Sequence, residues 1–481
     1  MSKIIILLTS LFIVCCTSIS TNNRSISSED TLVDVLGDLE GNIDRFNDFV
    51  NKSDVLIRDS KGEIDLSQKG QFVFLGDVMD RGQGSIRIMQ ELLRLKEKYP
   101  DRVTLILGNR DINKLRIMSL MDGALVSSVP DIVIPWHKEV IEDTFNLKIP
   151  DHISNDDYKD FVKDLDTPLI RFKAFLSGMN APKAFEFRRD ELKILFPDKV
   201  IDDHFVFASF LEDYKEDGIL QKYLKQGQLG KVIDGNLFVH GAVTSENFGY
   251  VPNLTVRESD PVEWINKLND FAKKEIDDWF SDSRLGQDLI AYHAPKAGSI
   301  QNLNSVVYAR YSDESGNPVA PGRSLIKKLQ THGIYRVIVG HTPTGDYPII
   351  VRKPKFEIVL TDSSFSSLDK ASKISIKGKD LISESDSIHG DKLIAQSNID
   401  DSLNPLGMKT TDGYRVIGKF SNTEDLLLLK VEGQGRKFNT KYLKESALNI
   451  ADKGLIEVFE QRVDASCRNI VESFLTNKSN Y

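Results

Sequence analysis

Short apolar runs, each ending at a glycine or a histidine, set the rhythm of the chain. Leu32-Val33-Asp34-Val35-Leu36 precedes Gly37, Gln71-Phe72-Val73-Phe74-Leu75 precedes Gly76, and Val103-Thr104-Leu105-Ile106-Leu107 precedes Gly108. Leu237-Phe238-Val239 runs into His240, and Arg336-Val337-Ile338-Val339 into Gly340. Runs of this length, rich in β-branched and aromatic residues, predict buried strands. Between several of them lie stretches with helical spacing. In Ser85 to Lys98, for example, Ile86, Ile88, Met89, Leu92, Leu93 and Leu95 recur as a helix requires. Strand, glycine turn and helix, repeated, predict an α/β fold, in which ligands gather at the carboxyl ends of the strands.

The stretch 117–217 breaks this rhythm. Charged helical patterns (Asp156 to Asp166, Arg188 to Phe196) are punctuated there by Pro130, Pro135, Pro150 and Pro168, which predicts an inserted helical cap. The main domain is expected over 31–366. Residues 367–402 are rich in Ser, Lys and Asp with weak periodicity, which predicts an exposed loop or linker. In the remainder, 403–481, Tyr414 to Ile417 and Leu426 to Val431 predict two strands. An amphipathic helix over about 441–475 is expected to pack on the core. There is no internal repeat and no nucleotide-binding glycine fingerprint.

Composition narrows the class. With 481 residues the chain holds two or three units, or one large domain with insertions, at roughly 100–200 residues per domain. An apolar fraction of 40% with 28% charged residues supports a sizeable core and excludes wholesale disorder. The net charge of −9 argues against bulk electrostatic binding of nucleic acid, leaving only a local basic groove open. The three cysteines are Cys15, Cys16 and Cys467. They form no zinc-finger spacing.

Met1-Ser2-Lys3 supplies a basic start, Ile4 to Cys16 is mostly apolar, and Thr17 to Ser20 is mostly small and polar. This three-part pattern predicts a signal peptide over 1–20 and an exported mature chain, periplasmic or secreted. An uncleaved anchor or a lipid attached at Cys15 or Cys16 are the alternatives. The apolar run is too short to span a bilayer comfortably, and no later segment reads as a membrane span.

The strand ends carry the candidate chemistry. They read Gly37-Asp38-Leu39-Glu40-Gly41-Asn42, Gly76-Asp77-Val78-Met79-Asp80-Arg81-Gly82, Gly108-Asn109-Arg110-Asp111, Val239-His240-Gly241 and Gly340-His341-Thr342-Pro343. Five strands thus deliver Asp, Asp, Asn, His and His to one sheet edge. Mixed oxygen and imidazole donors suit Mn, Fe, Zn or Mg rather than soft metals. A carboxylate such as Asp77 can bridge two ions roughly 3.5–4 Å apart. Tyr311, Asp346 and Asp362 are expected near the site. His137, His152, His204, His293, His332 and His389 have no such context and are expected to be surface or structural.

In this ordered set the sequence resembles the calcineurin-like metallophosphoesterases, and within them the phosphoprotein-phosphatase-like branch. That branch reads GDxHG, GDxxDRG, GNHE, HGG and GH in this order. The resemblance covers about residues 31–365, interrupted by 117–217. It implies a β-sandwich flanked by helices, two divalent ions with Mn foremost, and a phosphorylated substrate. Carried over, Asp38 and Glu40 would hold the first metal, Asp77 would bridge, and Asn109, His240 and His341 would hold the second. Arg81 would bind phosphate oxygens, and Arg310, in a looser motif, would be a second phosphate-binding arginine. A bidentate guanidinium suits a tetrahedral oxyanion.

The sequence departs from that pattern at two consequential places. Glu40 stands where the family has a histidine ligand, and Arg110-Asp111 stand where it has His-Glu. The family histidine, oriented by the equivalent of Asp80, protonates the leaving oxygen. Arginine stays charged and is no useful acid near neutrality, though Arg110 can grip phosphate. The resulting expectation is an exported phosphatase of phosphate monoesters, slow or favouring good leaving groups, acting through metal-bound hydroxide. The rivals are a phosphoanhydride or nucleotide hydrolase and a catalytically impaired metal-containing protein that binds a phosphorylated ligand.

Overall fold

The computed structural model describes residues 31–118 and 130–445, apart from 297, 298, 300, 365, 388, 389, 424, 434 and 436. The expected signal segment, 1–20, lies outside the described residues.

Each apolar run becomes a strand where expected: β1 (Leu32–Leu36), β4 (Gly70–Phe74), β5 (Val103–Leu105), β7 (Asn236–Val239) and β8 (Arg336–Val339), with a small hairpin of β2 (Leu56–Arg58) and β3 (Ile64–Leu66) between the first two. β1, β4 and β5 pair in parallel. β7, β8 and β10 (Phe356–Leu360) form a second parallel set, edged by β6 (Gly230–Ile233) and β9 (Ile349–Lys353). Parallel strands are covered on both faces, which is why these segments read as continuous apolar runs. Val33, Val35, Val73 and Leu75 from one sheet meet Phe238, Ile338 and Val359 from the other in a core between the sheets. The outer faces, with Leu36, Phe72 and Leu237, pack under helices such as Ser85–Lys98 and Pro261–Ser281. The α/β expectation, two sheets flanked by helices, is met.

Residues 367–402 are not a linker. They contain β11 (Lys373–Lys377), β12 (Asp380–Asp386) and β13 (Lys392–Asn398), which continue through β14 (Arg415–Phe420), β15 (Asp425–Glu432) and β16 (Lys437–Lys444). β11 pairs antiparallel with β1, so the order in this nine-stranded sheet is β16-β15-β14-β13-β12-β11-β1-β4-β5. The Ser and Lys content hid a period of two. Leu381, Ser383 and Ser385 alternate inward along β12, and Leu393, Ala395 and Ser397 along β13. The helix expected from 441 is corrected in its first turn, because Lys441 to Lys444 pair with β15 as part of β16. Its continuation from 446 lies outside the described residues. Between 130 and 226 the described elements are helices, including Pro168–Gly178 and Ala184–Leu195.

The two sheets are tied by a buried polar knot. Arg336, fully buried in β8, donates to Glu357 Oε2 at 3.0 Å, Asn236 Oδ1 at 2.8 Å and the Lys379 carbonyl at 2.8 Å. Glu357 also accepts from Arg352 at 2.9 Å and Ser397 at 3.0 Å. Lys379 and Ser397 belong to the nine-stranded sheet's extension, so the knot anchors those strands to the five-stranded sheet. Removing one partner leaves a buried charge under-compensated, typically at a cost of about 3–5 kcal/mol. Arg336→Met is therefore expected to lower the urea-unfolding free energy by about 3 kcal/mol. A loss below about 1 kcal/mol would show that the knot is not structural.

Candidate functional site

Six parallel strands end on one cavity. Asp38 follows β1, Asp77 follows β4, Asn109 follows β5, His240 follows β7, His341 follows β8 and Asp362 follows β10. The cavity encloses about 410 Å³ and is lined by Asp38, Glu40, Asp77, Asn109, His341 and Asp362, with guanidiniums from Arg81, Arg110, Arg116 and Arg310. His240 and Asp80 sit directly behind this wall. The ten residues given metal, phosphate or catalytic roles from the sequence are thus brought together.

The backbone is bent to make this convergence. Glu40, Asp77, Asp80 and His341 have φ of 48°, 55°, 109° and 59°, a region that costs non-glycine residues about 1–3 kcal/mol each. Such strain persists only where surroundings over-determine it. Asp111 supplies part of that constraint: its carboxylate accepts from the N–H groups of Gly108 at 2.8 Å, Asp77 at 2.9 Å and Val78 at 3.0 Å. Burial and the nearby Asp77 charge push Asp111 up to about 6. Glycines make the close approaches possible. A Cβ at Gly108 would overlap Asp77 Oδ1, and one at Gly340 would overlap Asp38 Oδ1.

Two halves can be distinguished. In one, ligand atoms of Asp38, Asp77 and His240 all lie within 4.8 Å of one another. His240 Nε2 is 3.1 Å from Asn109 Oδ1, and its Nδ1 is 2.7 Å from the Leu75 carbonyl, which fixes the ring. His341 Nε2 is buried without a hydrogen-bond partner. Burial, together with Arg310, His240 and Arg110, pulls His341 well below its ordinary range, leaving a neutral imidazole with a free lone pair. Burial and the carboxylates of Asp362, Asp77 and Glu40 push Asp38 well up. Crowded carboxylates beside an unpartnered imidazole nitrogen are the chemistry of a site for a divalent cation.

The other half is cationic. Arg110 Nε lies 2.7 Å from Glu40 Oε1 and Arg81 Nη1 lies 2.7 Å from Glu40 Oε2. Arg110 also reaches Asp80 Oδ2 at 3.3 Å, and the same oxygen accepts from the buried Lys114 at 2.7 Å. Burial works against the charge of Arg110, but Glu40, Asp80 and Asp77 outweigh it and hold the guanidinium charged. Burial pushes Glu40 up to about 7 even though Arg110 and Arg81 draw it down. Arg310 donates to the His341 carbonyl at 2.8 Å. Carbonyls of Met179 and Asn180, from the helical segment inserted after β5, accept from Arg110 and Arg81. That segment forms one wall of the cavity.

Sequence reasoning passed over several of these residues. Lys114 and Asn180 carried no motif. His293, expected to be surface or structural, is 2% exposed and lines the cavity. A histidine two residues before Pro295, in a helix packed against the Asn109 helix, offered no local signal. His137 is buried between Tyr158 at 2.9 Å and Asp166 at 3.0 Å, a structural role. Tyr311 is also structural, bonding the Val243 backbone from both sides of its hydroxyl. Asp346 is tied to Ser366 and Ser367, away from the cavity lining.

Burial, helped by the neighbouring Arg116, pulls His293 down to about 4 from 6.5. A lowered pKa means that the unfolded chain binds the extra proton first. The stability this group contributes is complete above pH 6.5 and is lost as pH falls through 4. The size is about 3 kcal/mol. His293→Phe is expected to lose about 3 kcal/mol less than the wild type in urea unfolding between pH 7 and pH 4. Equal acid losses in the two proteins would count against this role.

The known proteins that this chain is similar to are phosphoesterases and phosphatases. The family described as calcineurin-like phosphoesterase matches residues 31–345. The serine/threonine-protein phosphatase 4 catalytic subunit of Eremothecium gossypii is 32% identical over 100 residues, 21% of this chain and 29% of that one. The serine/threonine-protein phosphatase sitA of Aspergillus fumigatus is 50% identical over 56 residues, 12% and 14% of the two chains. The matched region therefore spans less than a third of either relative. Among solved structures, a cold-active protein tyrosine phosphatase aligns over 74% of this chain and 77% of that one, with a TM-score of 0.39 and 16% identity. A protein serine/threonine phosphatase from Saccharomyces cerevisiae gives 0.35 and 13%, over 74% and 75% of the two chains. With the family matching well over half of its length, this chain belongs to the calcineurin-like phosphoesterases.

Proposed function

We propose that the protein is a metal-dependent phosphatase of phosphate monoesters, phosphoproteins among them, exported by way of its first twenty residues. One observation carries the reading: a buried carboxylate and imidazole cluster shares a cavity with three converging guanidiniums, those of Arg81, Arg110 and Arg310. The curated relatives, named as serine/threonine-protein phosphatases, support phosphorylated protein as a substrate class. The basic start and apolar run before Ser20 support export.

The residues fit a metal ion. Asp38, Asp77, Asn109, His240 and His341 would hold it, a set of three oxygen and two nitrogen donors that favours Mn or Fe over Zn. When bound, the ion supplies Lewis-acid polarisation and activates water for in-line attack on phosphorus. The chain's own residues do the rest. Arg310, anchored on the His341 carbonyl, and Arg81, anchored on Glu40, present N–H groups to the equatorial phosphate oxygens. Arg110 stabilises the charge that develops there without any proton transfer. The Met179–Asn180 turn limits access and keeps both arginines in place.

Asp80, which orients an acid in the family pattern, is engaged by Lys114 and Arg110. This favours substrates whose leaving group departs without protonation, phosphoanhydrides included. General acid catalysis contributes about 10²–10⁴-fold. Rates are accordingly expected to fall steeply from p-nitrophenyl to phenyl to alkyl phosphates, and a flat series would show that another group supplies the proton. With p-nitrophenyl phosphate, turnover should require added Mn or Fe and drop by about 10²–10³-fold in Asp77→Asn. Metal binding without turnover of any ester or anhydride would replace the enzyme reading with that of a phospho-ligand binding protein.

A further inference from the structure

The cavity already contains a fixed cation where a second metal would have to sit. Both oxygens of Glu40 are taken, one by Arg110 Nε and the other by Arg81 Nη1, each at 2.7 Å. The Arg110 guanidinium is enclosed further by Asp77 Oδ2 at 3.8 Å, Asp80 Oδ2 at 3.3 Å and the Met179 carbonyl at 3.3 Å. Its own backbone N–H donates to Asp77 Oδ1 at 2.8 Å, so main chain and side chain of one residue clasp the same carboxylate. The space bounded by positions 40, 77 and 80 is therefore occupied by arginine. The opposite side of Asp77 instead faces oxygen and imidazole donors: Asp38, His240, Asn109 and the His341 Nε2 that has no hydrogen-bond partner.

We propose that this centre binds a single divalent ion, and that Arg110, braced by Glu40 and Asp80, takes the place of a second. The inference rests on the metal-dependent reading above and specifies its composition. Glu40 is then a positioning residue for two guanidiniums rather than a metal ligand. Charge balance points the same way. The cavity wall carries four carboxylates, Asp38, Glu40, Asp77 and Asp362, and four guanidiniums, Arg81, Arg110, Arg116 and Arg310. One divalent cation and one phosphate dianion leave that wall neutral. A second divalent ion would add two uncompensated positive charges beside the buried Arg110. The exchange is reciprocal in the sequence: an acid at 40 and a base at 110 pair with each other at 2.7 Å.

The test is a metal count on the full chain, loaded with Mn(II), freed of unbound metal by gel filtration and measured by plasma mass spectrometry. Electron paramagnetic resonance serves as a second readout. The expected result is one ion per chain with the spectrum of an isolated Mn(II). Glu40→His combined with Arg110→His should raise the count to two and produce a spin-coupled pair. Glu40→Gln alone should leave the count at one while weakening inhibition by inorganic phosphate by about 10-fold or more, as two guanidiniums lose their brace. Two ions in the wild type, or loss of the ion in Glu40→Gln, would overturn the inference and leave the metal-dependent reading standing. No ion in the wild type would overturn both. If the double variant fails to fold, the wild-type count still decides.

Discussion

Four carboxylates, those of Asp38, Glu40, Asp77 and Asp362, share one cavity wall, and like charges this close cannot all stay ionised out of water without cations between them. That constraint organises the surroundings. Arg81 and Arg110 neutralise Glu40, Lys114 and Arg110 neutralise Asp80, and backbone N–H groups neutralise Asp111. What is left over, Asp38, Asp77 and Asp362 beside two imidazoles, is the part that calls for a metal. The division between a self-neutralised half and a metal-seeking half is therefore decided by which acids the arginines can reach.

Reach, in turn, is a property of the two parallel strand sets. Their carboxyl ends face one another across the sandwich, so residues separated by up to 303 positions, such as Asp38 and His341, come within hydrogen-bonding distance at 3.1 Å. The left-handed backbone at Glu40, Asp77, Asp80 and His341 turns each chain sharply enough to aim its side chain at the centre. The inserted helical segment adds carbonyls rather than side chains to the arginines. That part of the wall is set by where the Met179–Asn180 turn lies rather than by its side-chain identity.

The buried strands could be read from the sequence because parallel strands need apolar residues on both faces, and the site could be read because each metal-class donor follows such a strand directly. Other features resist that kind of reading. β12 and β13 present Ser383, Ser385 and Ser397 inward, and a buried serine such as Ser397, satisfied by Glu357 40 positions away, looks like linker composition in one dimension. Nothing along the sequence around Glu40 signals that Arg81 and Arg110 pair with its two oxygens. Lys114 and His293 join the site through helix packing, a relation with no fixed spacing along the chain.

The position of β1 has a consequence for biosynthesis. One edge of this strand is covered early by β4, but the other waits for β11, so Val33 meets Ile376 only after most of the chain has been made. At 5–20 residues per second that interval is roughly 20–70 s. Throughout it the nascent protein carries an open apolar strand edge, the kind of surface on which chains associate wrongly. Asp34, whose carboxylate finally accepts from Ser53 and Ser375, places a charge in the middle of that edge. A charge inside an otherwise apolar edge strand disfavours pairing with a foreign strand, so a buried acid with no part in the cavity bears on how the chain assembles.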